Sequence, residues 1–150
     1  MRSLIDNSKA TDYPPNIQAI IKRPSEVSAW LGQSLLEIDT DTGWVKIAYQ
    51  LTNAHFNRYG GIHGGVIAAI MDDVIATAGG LQLQWGEIAP TLEMKVNYLA
   101  PPGEGRHLAE ARVVKRGKTI VFLESSLASE DGKLLATASA TLMITALKKS

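Results

Sequence analysis

Residues 64 to 83 are the longest apolar stretch of the chain, and it is broken twice, by Asp72-Asp73 and by Gly79-Gly80. A membrane span needs about 20 predominantly apolar residues with few charges. This run is too interrupted for that and reads as one long helix, Gly64 to about Gln82, inside a globular domain. A chain with a single such helix must cover it with something else. The C-terminal half supplies the cover, because Ala89 to Ala100, His107 to Arg116, Thr119 to Ser129 and Leu134 to Ala146 all read as strands.

The breaks between these strands are Pro101-Pro102-Gly103, Arg116-Gly117-Lys118 and Glu130-Asp131-Gly132. Short connections of this kind imply antiparallel neighbours in a four-strand meander. Upstream, Ser34 to Thr40 and the alternating run Trp44 to Leu51 flank the turn Asp41-Thr42-Gly43. Residues 1 to 15 read as a loosely held arm ending in Pro14-Pro15. Asn16 is the expected N-cap of a short helix through Ile17, Ile20 and Ile21, and Ser25 caps a second from Val27 to Leu31. The division expected is an N-terminal arm with short helices, residues 1–32, and one domain, residues 33–146. Its class is α+β, a helix lying on a curved antiparallel sheet.

Composition closes several routes. The 150 residues balance 15 basic against 15 acidic side chains, so no broad field attracts nucleic acid or an anionic membrane. With no cysteine, disulfides, thiolate metal sites and a cysteine nucleophile are excluded. The first 16 residues lack the apolar core of a signal peptide, and cytoplasm is the expected address.

At the helical period the central segment separates into two faces. Val66, Ile67, Ile70, Met71, Val74, Ala78 and Leu81 form a core face. Gly65, Ala68, Ala69, Asp72, Ala76 and Gly79 form the other, a stripe of small residues around one carboxylate. An exposed helix face normally carries Lys, Glu and Gln, so this stripe points to a close partner surface or a ligand cleft. Asp73 falls at the edge of the core face, in solvent or a salt bridge. Leading into the helix, Asn57-Arg58-Tyr59-Gly60-Gly61-Ile62-His63-Gly64-Gly65 places glycines at the helix N-terminus. There the first N–H groups have no internal partner and sit at the positive end of the dipole, which suits a developing oxyanion. Gly64 and Asp72 are about 12 Å apart along one helix, too far to hold one carbonyl together. Two antiparallel copies would bring one chain's Gly64 to the other's Asp72, so a dimer with sites at its interface is expected. His63 reads equally as a substrate-orienting group or a structural cap, Asn57 is as ambiguous, and His55 and His107 read as structural.

At these residues the chain resembles the PaaI-type thioesterases of the hotdog-fold superfamily. The match is Asn57, Gly60, His63, Gly64, Gly65 and Asp72, with Asp72 nine residues after His63. It continues through Thr91 to Tyr98 and Pro101, through Lys115-Arg116-Gly117-Lys118-Thr119 and through Asp131-Gly132-Lys133-Leu134, spanning roughly residues 33 to 145. The resemblance implies a hotdog domain, in which a six-stranded antiparallel sheet wraps the long helix and pairs of domains join into dimers and usually tetramers. It implies an acyl-CoA thioester hydrolase. The Gly64 amide polarises the carbonyl, Asp72 of the neighbouring subunit acts as base or nucleophile, Thr91 positions water, and Asn57 and His63 orient the thioester. It places Lys115, Arg116, Gly117, Lys118, Thr119 and Tyr98 near coenzyme A, which enters as part of the substrate; no metal or redox cofactor is required. The sizes of Trp85, Phe56, Tyr59 and Ile62, the expected pocket walls, do not choose between aryl and medium-chain acyl groups. A hotdog hydratase or dehydratase and a non-catalytic acyl-CoA sensor are the competing readings. The His63–Asp72 spacing argues against the first, and the retained Asp72 and Thr91 argue against the second.

Overall fold

A computed structural model describes residues 1–147. The elements in chain order are β1 (Ser3–Leu4), a 3-10 turn (Asn7–Asp12), α1 (Pro15–Lys22), α2 (Glu26–Trp30), β2 (Ser34–Asp39), β3 (Trp44–Leu51), a 3-10 turn (Asn53–His55), α3 (Gly64–Gly80), β4 (Glu87–Ile88), β5 (Thr91–Tyr98), β6 (Gly105–Arg116), β7 (Ile120–Ser129), β8 (Leu134–Met143) and β9 (Thr145–Ala146). α3 is the long helix expected from the apolar run, and the sheet wraps it. No helix among the described residues is long and apolar enough to cross a membrane.

The main sheet has seven strands in the order β1-β2-β3-β6-β7-β8-β5, all antiparallel, and β4 with β9 makes a separate two-stranded ribbon. The seventh strand is the two-residue β1. The structure corrects the four-strand meander: β6, β7 and β8 are joined by hairpins, but β5 crosses to the far edge and pairs with β8, Tyr98 opposite Ala136. Turn chemistry could not reveal this, because β6 is claimed on its other side by β3, with Trp44 opposite Arg112. Strand β5 is thus an edge, and it lies alongside α3.

The core fills the space between sheet and helix. Ile70, Met71, Val74, Ile75 and Ala78 of α3 meet Ile47, Tyr49, Leu123, Leu127 and Leu142 of the sheet, all fully enclosed. Gly79, expected in the stripe that faces a partner surface or ligand cleft, is buried against the chain's own sheet. A Cβ there would sit 3.0 Å from Leu142 Cδ2, so the sheet closes over the C-terminal end of the helix. Gly65 and Ala76 of the stripe are exposed, while Ala68, Ala69 and Asp72 are half-buried.

The N-terminal residues are bound more firmly than a loose arm. β1 pairs with β2, and Ala10, Ile17 and Leu31 are buried. Asn16 is not the cap of α1. Pro14 takes that position, and Asn16 donates from Nδ2 to the Leu83 carbonyl at 2.7 Å, tying α1 to the end of α3. Ser25 caps α2 as expected, accepting from the Ser28 amide at 3.0 Å.

Candidate functional site

The loop between β3 and α3 is built on its own polar groups. Asn57 Oδ1 accepts from the amides of Tyr59 at 2.8 Å and Gly61 at 3.3 Å, an Asx-type turn made through the oxygen. His63 caps the helix, with Nδ1 accepting from the Gly65 amide at 2.9 Å. An accepting Nδ1 carries no proton, so the neutral ring holds its hydrogen on Nε2 and presents it as a donor. The cap also sorts the helix N-terminus. The Gly65 N–H goes to the ring, and those of Val66 and Ile67 go to the His63 carbonyl. Among the described residues the Gly64 N–H alone of these has no acceptor. The two-glycine site expected from sequence therefore narrows to one available amide, at the positive end of a 17-residue helix.

Farther along α3, Asp72 Oδ1 accepts from the Thr91 hydroxyl at 2.8 Å, within one chain. The pair forms because β5 runs beside the helix, and both residues remain solvent-accessible. At the other end of β5, the Tyr98 hydroxyl donates to the Gly64 carbonyl at 3.2 Å. The structure thus puts Tyr98 at the helix N-terminus, with Gly64.

Asp73 is half-buried, and among the described residues it is held by hydrogen-bond donors and has no salt bridge. Ser28 Oγ donates to Oδ1 at 2.6 Å, and Gln33 Nε2 and the Tyr49 hydroxyl donate to Oδ2 at 2.8 and 2.6 Å. Burial and the neighbouring Asp73 carboxylate push the Tyr49 phenol well above its ordinary range, which keeps it a donor. His55 is 3% exposed and equally committed: Nδ1 accepts from the Thr52 amide at 2.9 Å, and Nε2 donates to the Trp30 carbonyl at 3.0 Å. Neither cluster was legible in the sequence, since the donors to Asp73 lie 24 to 45 positions away.

The basic turn sits at the far end of α3. Arg116 Nε donates to the Gln82 carbonyl at 3.1 Å and its guanidinium approaches Glu87 at 3.9 Å, so this cation closes the helix C-terminus. Lys115, Lys118 and Thr119 are exposed, and Gly117 is packed so that a Cβ would lie 3.0 Å from the Ile120 carbonyl oxygen. Gln82 is about 27 Å along the helix from Gly64, so one chain separates the basic turn from the available amide. The expected pocket walls are divided likewise. Ile62 is buried beside Phe56 in the loop, Tyr59 is 88% exposed there, and Trp85, 73% exposed, is at the opposite end.

This geometry has known relatives. The model of the thioesterase superfamily matches residues 59–136, just over half of the chain, from Tyr59 in the glycine loop to the start of β8. The chain belongs to the thioesterase superfamily. Its class as a thioester hydrolase and its hotdog architecture follow, and the PaaI-type resemblance read from the sequence is borne out. Acyl-coenzyme A thioesterase 13 from Homo sapiens is 28% identical over 137 residues, covering 90% of this chain and 89% of its own. The crystal structure of a phenylacetic acid degradation-related protein from Ralstonia eutropha JMP134 is 33% identical at a TM-score of 0.76, covering 81% of this thioesterase and 92% of that chain. A thioesterase family protein from Silicibacter pomeroyi is 25% identical at a TM-score of 0.77, covering 95% of this chain and all of its own.

Proposed function

We propose that this thioesterase hydrolyses acyl-CoA, at sites each shared by two antiparallel copies of the chain. The observation that carries this reading is the division of polar groups along α3: a spare Gly64 amide at its N-terminus, and a carboxylate with a hydroxyl, Asp72 and Thr91, two turns on. One helix holds these groups about 12 Å apart, and an antiparallel partner brings unlike halves together. The exposed edge of β5, with Leu92 and Tyr98 more than half accessible, offers the surface for that pairing. The acyl-CoA named in the human relative's description fits the exposed Lys115 and Lys118, whose ammonium groups suit phosphates.

In the reaction, one copy's Gly64 N–H and the Nε2–H of its His63 face the thioester carbonyl, and Asn57 Nδ2 is a further donor there. Asp72 of the other copy takes a proton from water beside Thr91. The water oxygen bonds to the carbonyl carbon, whose π electrons move to oxygen and are held by the Gly64 amide. Collapse re-forms the carbonyl and breaks the C–S bond. The proton on Asp72 passes to sulfur, leaving carboxylic acid and the free thiol. The test is thiol release from a panel of acyl-CoAs by wild type and Asp72→Ala. Loss of release by a folded, assembled variant supports the reading. Binding of acyl-CoA without release by wild type would replace it with a sensor, and an active variant would displace Asp72 as the base.

A further inference from the structure

One short segment is bonded beside each of the two groups that a chain gives to the proposed sites, its carbonyl-binding loop and its Asp72. Residues 25–33 comprise α2 and the turn after it, and they are seated on the sheet at Gly32. That residue has φ +65°, and a Cβ there would lie 2.8 Å from Gln50 Cβ. Toward the loop, the Trp30 carbonyl accepts from His55 Nε2 at 3.0 Å, and the two rings pack with centroids 4.6 Å apart. The His55 carbonyl in turn accepts the His63 N–H at 2.9 Å, so the segment is one residue removed from the helix-capping histidine. Toward the helix, Ser28 and Gln33 grip the two oxygens of Asp73, the residue beside Asp72.

Neither tether is the least costly way to fill its place. A carboxylate with no cation beside it loses hydration that neutral donors only partly restore, and an apolar side chain would avoid that loss. A local cap for the Thr52 amide needs one acceptor, which Asn supplies, whereas His55 also spans to α2. Both choices favour defined geometry. We propose that residues 25–33 are a positioning clamp, holding the carbonyl-binding loop through His55 and the Asp72 turn of the helix through Asp73. The proposal rests on the shared-site reading of the reaction. His55, Ser28, Gln33 and Asp73 are positioning residues and touch no substrate.

The two nitrogens of His55 separate the clamp from a simple cap. In Asn the oxygen falls near the place of Nδ1, which preserves the cap to Thr52; in Gln the amide nitrogen falls near Nε2, which preserves the tether to Trp30. The clamp expects His55→Gln to keep kcat within about threefold, and His55→Asn to lose about tenfold or more with KM little changed. The reverse order, or equal full activity of both variants, overturns it. Should either variant fail to fold, Gln33→Met removes one grip on Asp73 without touching the loop. A fall of about threefold to tenfold in its kcat at constant KM supports the clamp, and unchanged kcat overturns it. If wild type releases no thiol, the shared-site reading fails separately, and amide exchange scores the clamp. Exchange of the His63 and Gly65 amides accelerated in His55→Asn but not in His55→Gln supports it, and equal protection in both overturns it.

Discussion

Gly64 permits an unusually clean test, because it is the first residue of α3 and, among the described residues, its N–H alone of the first-turn amides has no acceptor. Proline lacks that N–H and is well tolerated at the first helical position. The preceding His63 is already extended, with φ −64° and ψ 134°, as a residue before proline should be. Gly64→Pro therefore deletes one donor while leaving the helix and its cap in place. Removing one oxyanion donor costs about 3 kcal/mol of transition-state stabilisation, so kcat should fall about 100-fold or more. Gly64→Ala is the control. It keeps the N–H, its Cβ would lie 3.8 Å from Tyr98 Cε1, an ordinary contact, and its kcat should stay within a few-fold. Mixing then separates a shared site from a private one. In a mixed dimer of Gly64→Pro and Asp72→Ala chains, one site joins the intact Gly64 of one chain to the intact Asp72 of the other. The second site carries both lesions. Random exchange makes half the dimers mixed, so about a quarter of wild-type activity should return from two inactive parents. The assay is thiol release after co-refolding equal amounts, with each parent refolded alone as the baseline. Failure of the mixture to rise above its parents, with mixed dimers demonstrated by native mass spectrometry, would refute the antiparallel shared site. A Gly64→Pro enzyme as fast as wild type would refute the amide's role.

The same geometry sets three other outcomes. Thr91→Val keeps the shape of the side chain and deletes the 2.8 Å bond to Asp72. Because the pair is solvent-accessible, the loss should be about 1–1.5 kcal/mol, roughly tenfold in kcat/KM, with Thr91→Ser close to wild type. Ala68 lies midway between Gly64 and Asp72, so the two-fold axis of the proposed dimer passes beside it. In a chain with no native cysteine, spin-labelled Ala68→Cys should give a strong inter-chain dipolar signal, with backbones about 10 Å apart. A label at 68 with no such signal in the assembled protein would rule out that axis. Tyr49→Phe should lower stability at neutral pH by about 1–3 kcal/mol, because Asp73 loses a donor. The raised phenol contributes its stability in full below its ordinary value of 10.0, and that contribution is lost as pH rises above it. The gap between wild type and variant, read from urea melts at about pH 8 and about pH 11, should therefore narrow on the alkaline side.

Much of the architecture is readable in the sequence because the signals are local. β3 runs from Trp44 to Leu51 as its alternation requires, and α3 starts at Gly64 where the glycine loop meets the apolar run. The spacing of Gly64 and Asp72 is likewise a property of helix rise and needs no tertiary information. Features that depend on distant partners are not readable in this way. The crossing of β5 is decided by β3 having taken the free side of β6, a competition that no turn sequence records. Asn16 resembles a helix cap but is drawn to a carbonyl 67 positions on. His55 reads as a structural residue and Asp73 as one in solvent or a salt bridge until α2 is folded against them. The basic turn reads as one patch, yet Arg116 is turned back onto the end of α3, leaving the two lysines as its outward charges.

The edge position of β5 has a kinetic corollary. On the shared-site reading, the strand that carries Thr91 is also the rim awaiting another copy, so a lone chain has half of each requirement and turns nothing over. Rate per chain would then be constant at high concentration and decline on dilution past the dimer's dissociation constant. Hydrolytic power, which is hazardous to every thioester in a cell, would thus arrive only with the second molecule.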